Sequence, residues 1–278
     1  MPPFLYVALD AALKILYHIV MSKAEISALR RNTMSAVHTY FDHLAALLAR
    51  TLDTQQQGIE TAAQRVAACM KAGGMVYTFG TGHGHLLALE VFYRAGGMAR
   101  VCPVMDERLM LHVSAAESTH VERREDMVDE LLARFPIDAG DVLIVSSNSG
   151  RNAVPVLLAK AAHERGAYVI ALTSMNHSGA VTPRNSAGLR LFEIADLVLD
   201  NGGVLGDAAM QMADGMMVGP TSTAVGAAIL QAMVCRVKEI SLEEGWEAEF
   251  FKSSNVDDGD AFNARLIEKY AGVIPGLA

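Results

Sequence analysis

Cysteine is scarce in this chain, with three residues among 278. Cys69, Cys102 and Cys235 lie far apart, so they show neither the even set of a disulfide framework nor the paired spacing of a zinc site. We therefore expect no metal ion, and we expect the cysteines to be small buried side chains in a reducing compartment.

Runs of like charge are also missing. The net charge is −8 at pH 7 and no five consecutive residues share a sign, which argues against a nucleic-acid surface. The apolar start of the chain is interrupted by Asp10, Lys14 and His18, so it fits neither a membrane span nor a signal peptide. We expect a soluble, cytoplasmic protein that binds neither nucleic acid nor membrane. Residues 1–22 are expected to be an N-terminal helix or an extension ahead of a natural start at Met21.

The segment 23–73 is expected to form a helical arm. Ser22 and Glu25 have the spacing of a capping box, which predicts a helix beginning near residue 23. Apolar residues follow at helical spacing as far as Leu48. A second helix is predicted from about Thr54 to Lys71, where two glycines follow.

From residue 74 to 278 the pattern changes to short apolar runs alternating with helical segments. Such alternation predicts one domain with a doubly wound parallel sheet. Ligands bind such sheets beyond the carboxyl ends of the strands, so the residues after each strand are the candidate site. The predicted strands cover residues 75–79, 99–104, 141–145, 168–173 and 197–199.

Three polar turns follow these strands or open helices. Gly80, Thr81, Gly82 and His85 belong to a glycine-rich turn that lacks the spacing of a dinucleotide fingerprint and of a P-loop. The second turn has three hydroxyls and an amide ahead of a helix, which is typical of a phosphate cradle. Its residues are Ser146, Ser147, Asn148 and Ser149. A third turn contains Thr221, Ser222 and Thr223, and helix capping alone explains about half of that pattern. Asn201 follows the last strand, between Asp200 and Asp207, and is a further candidate for binding sugar hydroxyls.

These turns together resemble the sugar isomerase (SIS) domain. The stretches 142–173 and 220–232 are similar to arabinose-5-phosphate isomerase. A closer resemblance, over about residues 30–272, is to the UPF0309 group of SIS proteins. It is carried by the segments 80–83, 94–97, 147–152, 200–202 and 254–257.

The resemblance implies a three-layer α/β fold of the flavodoxin or Rossmann type, with a five-stranded parallel sheet flanked by helices. It also implies self-association as a dimer or tetramer, and phosphosugar binding without a cofactor. Ser147, Ser149 and Ser146 would bind the phosphate. Gly84 departs from the family pattern, since many SIS loops have a serine there. Asn185 stands where the closer group leads us to expect histidine.

Aldose–ketose isomerisation needs a base near the first two sugar carbons and a second group for hydroxyl protons. Glu90 is the first candidate for the base, since a carboxylate on that apolar helix segment would be desolvated. An ion pair with Arg94 four residues later is the alternative interpretation. His83 could transfer a proton, bind phosphate or cap the helix.

Glu122 and His112 are the remaining catalytic candidates, in a polar segment after the second strand. Such segments often cross to the partner subunit in SIS proteins, although the pattern here favours a solvated loop. The methionine-rich segment 210–217 is expected to be a loop that forms a lid or a subunit contact.

Three functions stay open from the sequence. The first is a cofactor-independent aldose–ketose isomerase acting on a sugar phosphate. The second is a non-catalytic phosphosugar sensor or regulator, and the third is an SIS-type lyase acting on an amino sugar phosphate. Resemblance of fold does not choose among them.

Overall fold

A computed structural model describes residues 35–277 of the chain. The predictions for residues 1–34, including the cap at Ser22 and Glu25, lie outside the described residues. The chain divides into two units at Ala46–Leu47, and the second unit holds every described strand.

Helix α1 (Ala36–Lys71) is one uninterrupted helix of 36 residues. The sequence predicted two helices separated near residues 49–53, and that break is absent. No glycine or proline stands there, and the hydroxyls of Thr51 and Thr54 donate back to the carbonyls of Leu47 and Arg50 at 2.9 Å each. These bonds satisfy the polar side chains without interrupting the helix.

Five parallel strands form the central sheet in the order β2-β1-β3-β4-β5. This confirms the predicted five-stranded parallel sheet. The order has its switch point between β1 and β3, where ligands bind in such sheets. The strands are β1 (Val76–Gly80), β2 (Val101–Pro103), β3 (Val142–Ser146), β4 (Tyr168–Thr173) and β5 (Leu197–Asp200).

Helices cover both faces of the sheet, and every residue of β1, β2 and β3 is buried. The segment Leu111–Val121 is helical, where the sequence analysis favoured a solvated loop. Only Ser118 and Val121 of that helix are buried, so the apolar periodicity that predicts helices is weak there. The helices after α1 are α2 (Gly84–Glu90), α3 (Leu111–Val121), α4 (Met127–Arg134), α5 (Ala153–Glu164), α6 (Met175–Ser178), α7 (Ser222–Glu243) and α8 (Gly259–Tyr270).

The methionine-rich segment forms an antiparallel hairpin, where the sequence analysis expected a loop. Strand β6 (Ala208–Gln211) pairs with β7 (Met217–Pro220). The turn between them uses Gly215 at a φ of +88°, a conformation that glycine adopts without a steric penalty. Met216 N–H donates to Asp214 Oδ1 at 3.0 Å across the same turn.

The cysteines differ from one another in their surroundings. Burial raises the pKa of Cys69 to about 11 and that of Cys102 to about 12, so both are protonated, unreactive thiols at neutral pH. Cys235 is exposed, which corrects the expectation that all three are buried. Within residues 35–277, no helix is both long and apolar enough to cross a membrane.

Candidate functional site

The turns at the carboxyl edge of the sheet enclose a cavity of about 230 Å³. Gly80 at the end of β1 lies in register with Ser146 at the end of β3, and Thr173 of β4 is level with Asp200 of β5. The turns that follow these strands therefore begin side by side. The ends of β3 and β4, the turns at this edge and residues of α2, α6 and α7 line the cavity: Thr81, His83, Gly84, Leu87, Glu122, Ser146, Ser147, Asn148, Ser149, Asn152, Leu172, His177, Asn201, Gly206, Asp207, Ser222 and Thr223.

Tight backbone packing holds the glycine-rich turn against the end of β3. A Cβ atom on Gly80 would lie 2.3 Å from the carbonyl of Gly84, and one on Gly84 would lie 2.5 Å from the carbonyl oxygen of Ser146. Neither position has room for a side chain in this chain. The close packing brings Thr81 and His83 to the cavity.

Residues 146–152, the serine loop, are held by their own hydrogen bonds. The N–H of Gly150 donates to Ser147 Oγ at 3.3 Å, and Thr173 Oγ1 donates to the carbonyl of Ser147 at 2.7 Å. Within the described chain, neither the hydroxyl nor the N–H of Ser149 has a protein partner. Ser147 thus shapes the loop, and Ser149 presents its polar groups to the cavity.

Several buried polar atoms around the cavity lack a hydrogen-bond partner among residues 35–277. They include Asn148 Nδ2, Asn152 Oδ1 and His177 Nδ1, and all three residues line the cavity. Asn201 orients Asn148, because its Nδ2 donates to Asn148 Oδ1 at 2.9 Å. Buried polar groups are otherwise almost always paired, so the site is suited to a ligand that offers both donors and acceptors.

Glu122 connects the first turn to the serine loop. It follows α3, and its carboxylate accepts hydrogen bonds from Thr81 Oγ1 at 2.6 Å and from Asn152 Nδ2. Burial raises the pKa of Glu122, and the bond from Thr81 and the charges of Arg123 and Arg184 offset part of that effect. A carboxylate of this kind can hold or release a proton closer to neutral pH than an exposed glutamate.

His177 is a cavity residue that the sequence analysis missed. It lies in α6, directly after β4, and its N–H donates to Ser174 Oγ at 3.1 Å. Burial lowers the pKa of His177, while the charge of Asp207 opposes this and that of Arg151 adds to it. The imidazole is therefore neutral at pH 7. Its position just after the end of β4, at the carboxyl edge of the sheet, is the signal in the sequence that points to it.

Asp207 organises the third turn and caps α7. Its Oδ1 accepts from the N–H of Ser222 at 3.0 Å, and its Oδ2 accepts from Ser222 Oγ at 2.5 Å. The Ser222 hydroxyl is thus bonded within the protein. Thr223 lines the cavity, whereas Thr221 is buried and does not.

Other predicted site residues do not line this cavity. Glu90 forms an ion pair with Arg94 and accepts a hydrogen bond from Gln231 Nε2 at 3.0 Å, as in the alternative interpretation of that glutamate. The ring of His85 is buried; its Nδ1 contacts the carbonyl of Gly82, and it lies 6.2 Å from the His112 ring. The roles predicted for these side chains stay predictions. Across residues 35–277, no three His, Cys, Asp or Glu side chains are grouped as metal ligands would be.

Comparison with known proteins shows which families this chain resembles. The model of the SIS domain matches residues 39–174. A UPF0309 protein of Listeria monocytogenes is 40% identical over 242 residues, which cover 87% of this chain and 98% of the relative. One from Halalkalibacterium halodurans is 39% identical over 237 residues, or 85% of this chain and 98% of the relative.

A solved structure has the same fold at low identity. The Vibrio vulnificus NanR protein complexed with ManNAc-6P aligns with a TM-score of 0.50 and 14% identity, over 91% of this chain and 75% of that chain. This likeness shows the fold alone. The identities near 40% extend over almost the whole length of the curated relatives, and on that basis the chain belongs to the UPF0309 family of SIS-domain proteins.

Proposed function

We propose that this protein binds a sugar phosphate in the cavity and interconverts its aldose and ketose forms without a cofactor. One observation carries the proposal: Glu122, a partly buried carboxylate with a raised pKa, lies in the same cavity as the unpartnered groups of Ser149 and Asn148. The NanR protein, which has the same fold, is complexed with ManNAc-6P, and this supports a sugar phosphate as the class of ligand.

The phosphate would bind at the serine loop. Among the described residues that line the cavity there is no lysine or arginine, so neutral donors would hold the anion. The N–H groups of Asn148 and Ser149 have no acceptor within the described residues, and the loop leads into α5. Backbone N–H groups at the start of a helix are well suited to bind phosphate.

Glu122 would act as the base. The ionised carboxylate takes the proton from carbon 2 of an aldose, and the electron pair of that C–H bond forms the double bond of an enediol as the carbonyl oxygen gains a proton. Glu122 then returns its proton to carbon 1, and the ketose carbonyl forms at carbon 2. The neutral imidazole of His177 would move protons between the two sugar oxygens. Hydrogen bonds from Thr81 and Asn152 fix the position of the carboxylate.

Ligand binding is tested first, by thermal unfolding with pentose, hexose, heptose and amino sugar phosphates. A ligand at about 100 times its dissociation constant stabilises the protein by about 2.7 kcal/mol. Ser149→Ala should lose most of that stabilisation, because a hydrogen bond to a charged group contributes about 1.5–3 kcal/mol. Ser254→Ala, an exposed serine elsewhere, is the matched control. The absence of any response across these sugars would refute the proposal.

Turnover is tested with two glutamate variants. Glu122→Gln should retain binding and lose roughly 100-fold or more in kcat, a typical contribution of a general base. Glu90→Gln should keep most of the activity, because Glu90 is paired with Arg94 outside the cavity. The reverse result would make Glu90 the base. Binding without turnover by the native protein would favour a sensor, and release of a substituent would favour a lyase.

We also propose that the protein forms a homo-oligomer. Leu86 and Leu89 of α2 lie three residues apart on one helical face, and both are exposed. Burial of such side chains against a second copy would be favourable. Light scattering of the native protein and of Leu86→Glu would test this, since a charge in the interface should dissociate the oligomer. A monomeric native protein would refute it.

A further inference from the structure

Three arginines beside the cavity have no carboxylate partner within 4.0 Å in the part of the chain that the structure describes. Arg123 follows Glu122, Arg151 belongs to the serine loop, and Arg184 lies in the segment after α6. Among residues 35–277, none of these three, the arginine cluster, makes an ion pair within 4.0 Å. Other arginines of the same range differ in this respect: Arg108, Arg124, Arg190 and Arg236 each pair with an aspartate or a glutamate, whereas Arg50, Arg65, Arg100, Arg165 and Arg265 make no such pair within residues 35–277.

The backbone holds the arginine cluster together. The N–H of Arg184 donates to the carbonyl of Arg151 at 2.8 Å, and Asn185 Nδ2 donates to the same carbonyl at 3.1 Å. The N–H of Ser186 donates to Glu125 Oε1 at 2.7 Å, which ties this segment to the residues that follow Arg123. Three separate parts of the chain therefore converge beside the cavity, so the proximity of the arginines is a property of the fold.

The positive charges of the arginine cluster repel one another. The charge of Arg151 lowers the pKa of Arg184 below its usual range, and Arg123 adds to this effect while Glu122 opposes it. Arg151 Nε is buried without a hydrogen-bond partner in the described chain. Like charges held close together create a positive potential, which Glu122 offsets in part and which a bound anion would relieve further.

The cluster is separate from the groups assigned to the phosphate. None of its members is among the residues that line the cavity. Asn152, whose Nδ2 donates to Glu122, forms a backbone bridge to Arg184. The cluster therefore lies on the Glu122 side of the serine loop, at the rim of the cavity. A ligand whose phosphate occupies the serine loop and whose reacting carbons face Glu122 would extend toward it.

We propose that the arginine cluster binds a second anionic group, so that the ligand of this protein is a sugar phosphate that also carries a carboxylate or a second phosphate. Arginine binds both groups in the same way, by paired N–H donors from a planar guanidinium. This inference rests on the proposed function for the position of the first phosphate. It specifies the class of substrate, and it applies equally to an isomerase, a sensor or a lyase.

Matched pairs of ligands test the inference by isothermal titration calorimetry at low salt. Glucose 6-phosphate is compared with 6-phosphogluconate, and fructose 6-phosphate with fructose 1,6-bisphosphate. We expect the native protein to bind at least one doubly anionic ligand roughly tenfold more tightly than its counterpart, the low end for a charge-assisted hydrogen bond. Preference for 6-phosphogluconate alone would assign a carboxylate, and preference for the bisphosphate alone a second phosphate.

The double variant Arg123→Gln and Arg184→Gln should lose this preference and keep its affinity for the monophosphates. Both arginines are exposed, so the variant is expected to fold, which thermal unfolding checks. Arg165→Gln, an exposed arginine at the far end of α5, should behave as the native protein does.

Equal or undetectable binding of both members of each pair overturns the inference, and so does a preference that survives in the double variant. If monophosphates still bind in a manner that depends on Ser149, the proposed function stands and only the second anionic group is wrong. If no sugar phosphate binds, the proposed function falls as well.

Discussion

Replacing Asp106 by asparagine would remove a carboxylate that anchors the segment between β2 and α3. Asp106 is 6% exposed. Its Oδ1 accepts from Arg108 Nε at 2.8 Å and its Oδ2 accepts from Arg134 at 2.7 Å. This segment leads into α3, at the end of which Glu122 is positioned. The variant therefore tests how firmly the Glu122 side of the site is held.

The expected loss of stability follows from the pKa of Asp106. The hydrogen bond from the Arg108 side chain, with further help from the charge of Arg134, lowers the pKa of Asp106 from 3.8 to about 2. A difference of this size corresponds to about 2.4 kcal/mol of folding free energy. The two arginine side chains are 41% and 52% exposed, so solvent screening reduces the value to about 2 kcal/mol. We expect a loss of about 4–8 °C in Tm at neutral pH.

The pH dependence gives the sharper test. A carboxyl whose pKa is depressed by folding adds stability that is fully present above its unfolded value of 3.8 and is lost as pH falls toward about 2. In urea unfolding, the difference in free energy of unfolding between the native protein and Asp106→Asn should be constant from pH 6 to 8. This difference should become smaller below pH 4. Asp126→Asn, which removes an exposed partner of Arg124, is the control and should have no measurable effect. The reasoning would be refuted if Asp106→Asn lost no more free energy of unfolding than Asp126→Asn does. It would also be refuted if the loss in Asp106→Asn were the same at pH 3 as at neutral pH.

Further predictions concern the site. Because burial raises the pKa of Glu122, kcat/KM should rise with pH through a value above 4.5, and Glu122→Gln should lack this limb in a pH–rate series. Gly84→Ser should destabilise the protein by about 1–3 kcal/mol and should not improve ligand affinity in calorimetry, because its Cβ would meet the Ser146 carbonyl. His177 should be neutral at pH 7 in histidine NMR spectra and should shift when inorganic phosphate is added, whereas exposed His163 should not shift. A protonated His177 at pH 7, or a Gly84→Ser protein as stable as the native one, would contradict the corresponding argument.

Much of the fold could be predicted because its signals are local. Short apolar strands alternating with helices indicate a parallel sheet, and all five predicted strands are present. The serine loop could also be predicted as a candidate binding turn, since three hydroxyls and an amide at the start of a helix are more than helix capping needs. Errors arose where the local signal is weak: α3 buries few side chains, and the turn at Gly215 was not recognised as that of a hairpin.

The sequence by itself determined the strands, the family and the turns that must meet at one edge of the sheet, because apolar runs and turn residues act over a few neighbouring positions. Only the tertiary structure decided which side chains enter the cavity. The sequence makes Glu90 the first candidate for the base and Glu122 a further one, yet Glu90 pairs with Arg94 whereas Glu122 accepts a hydrogen bond from Thr81. Strand order and register bring residues such as Glu122 and Asn152, 30 positions apart, into contact, and no pattern along the chain encodes such a distance.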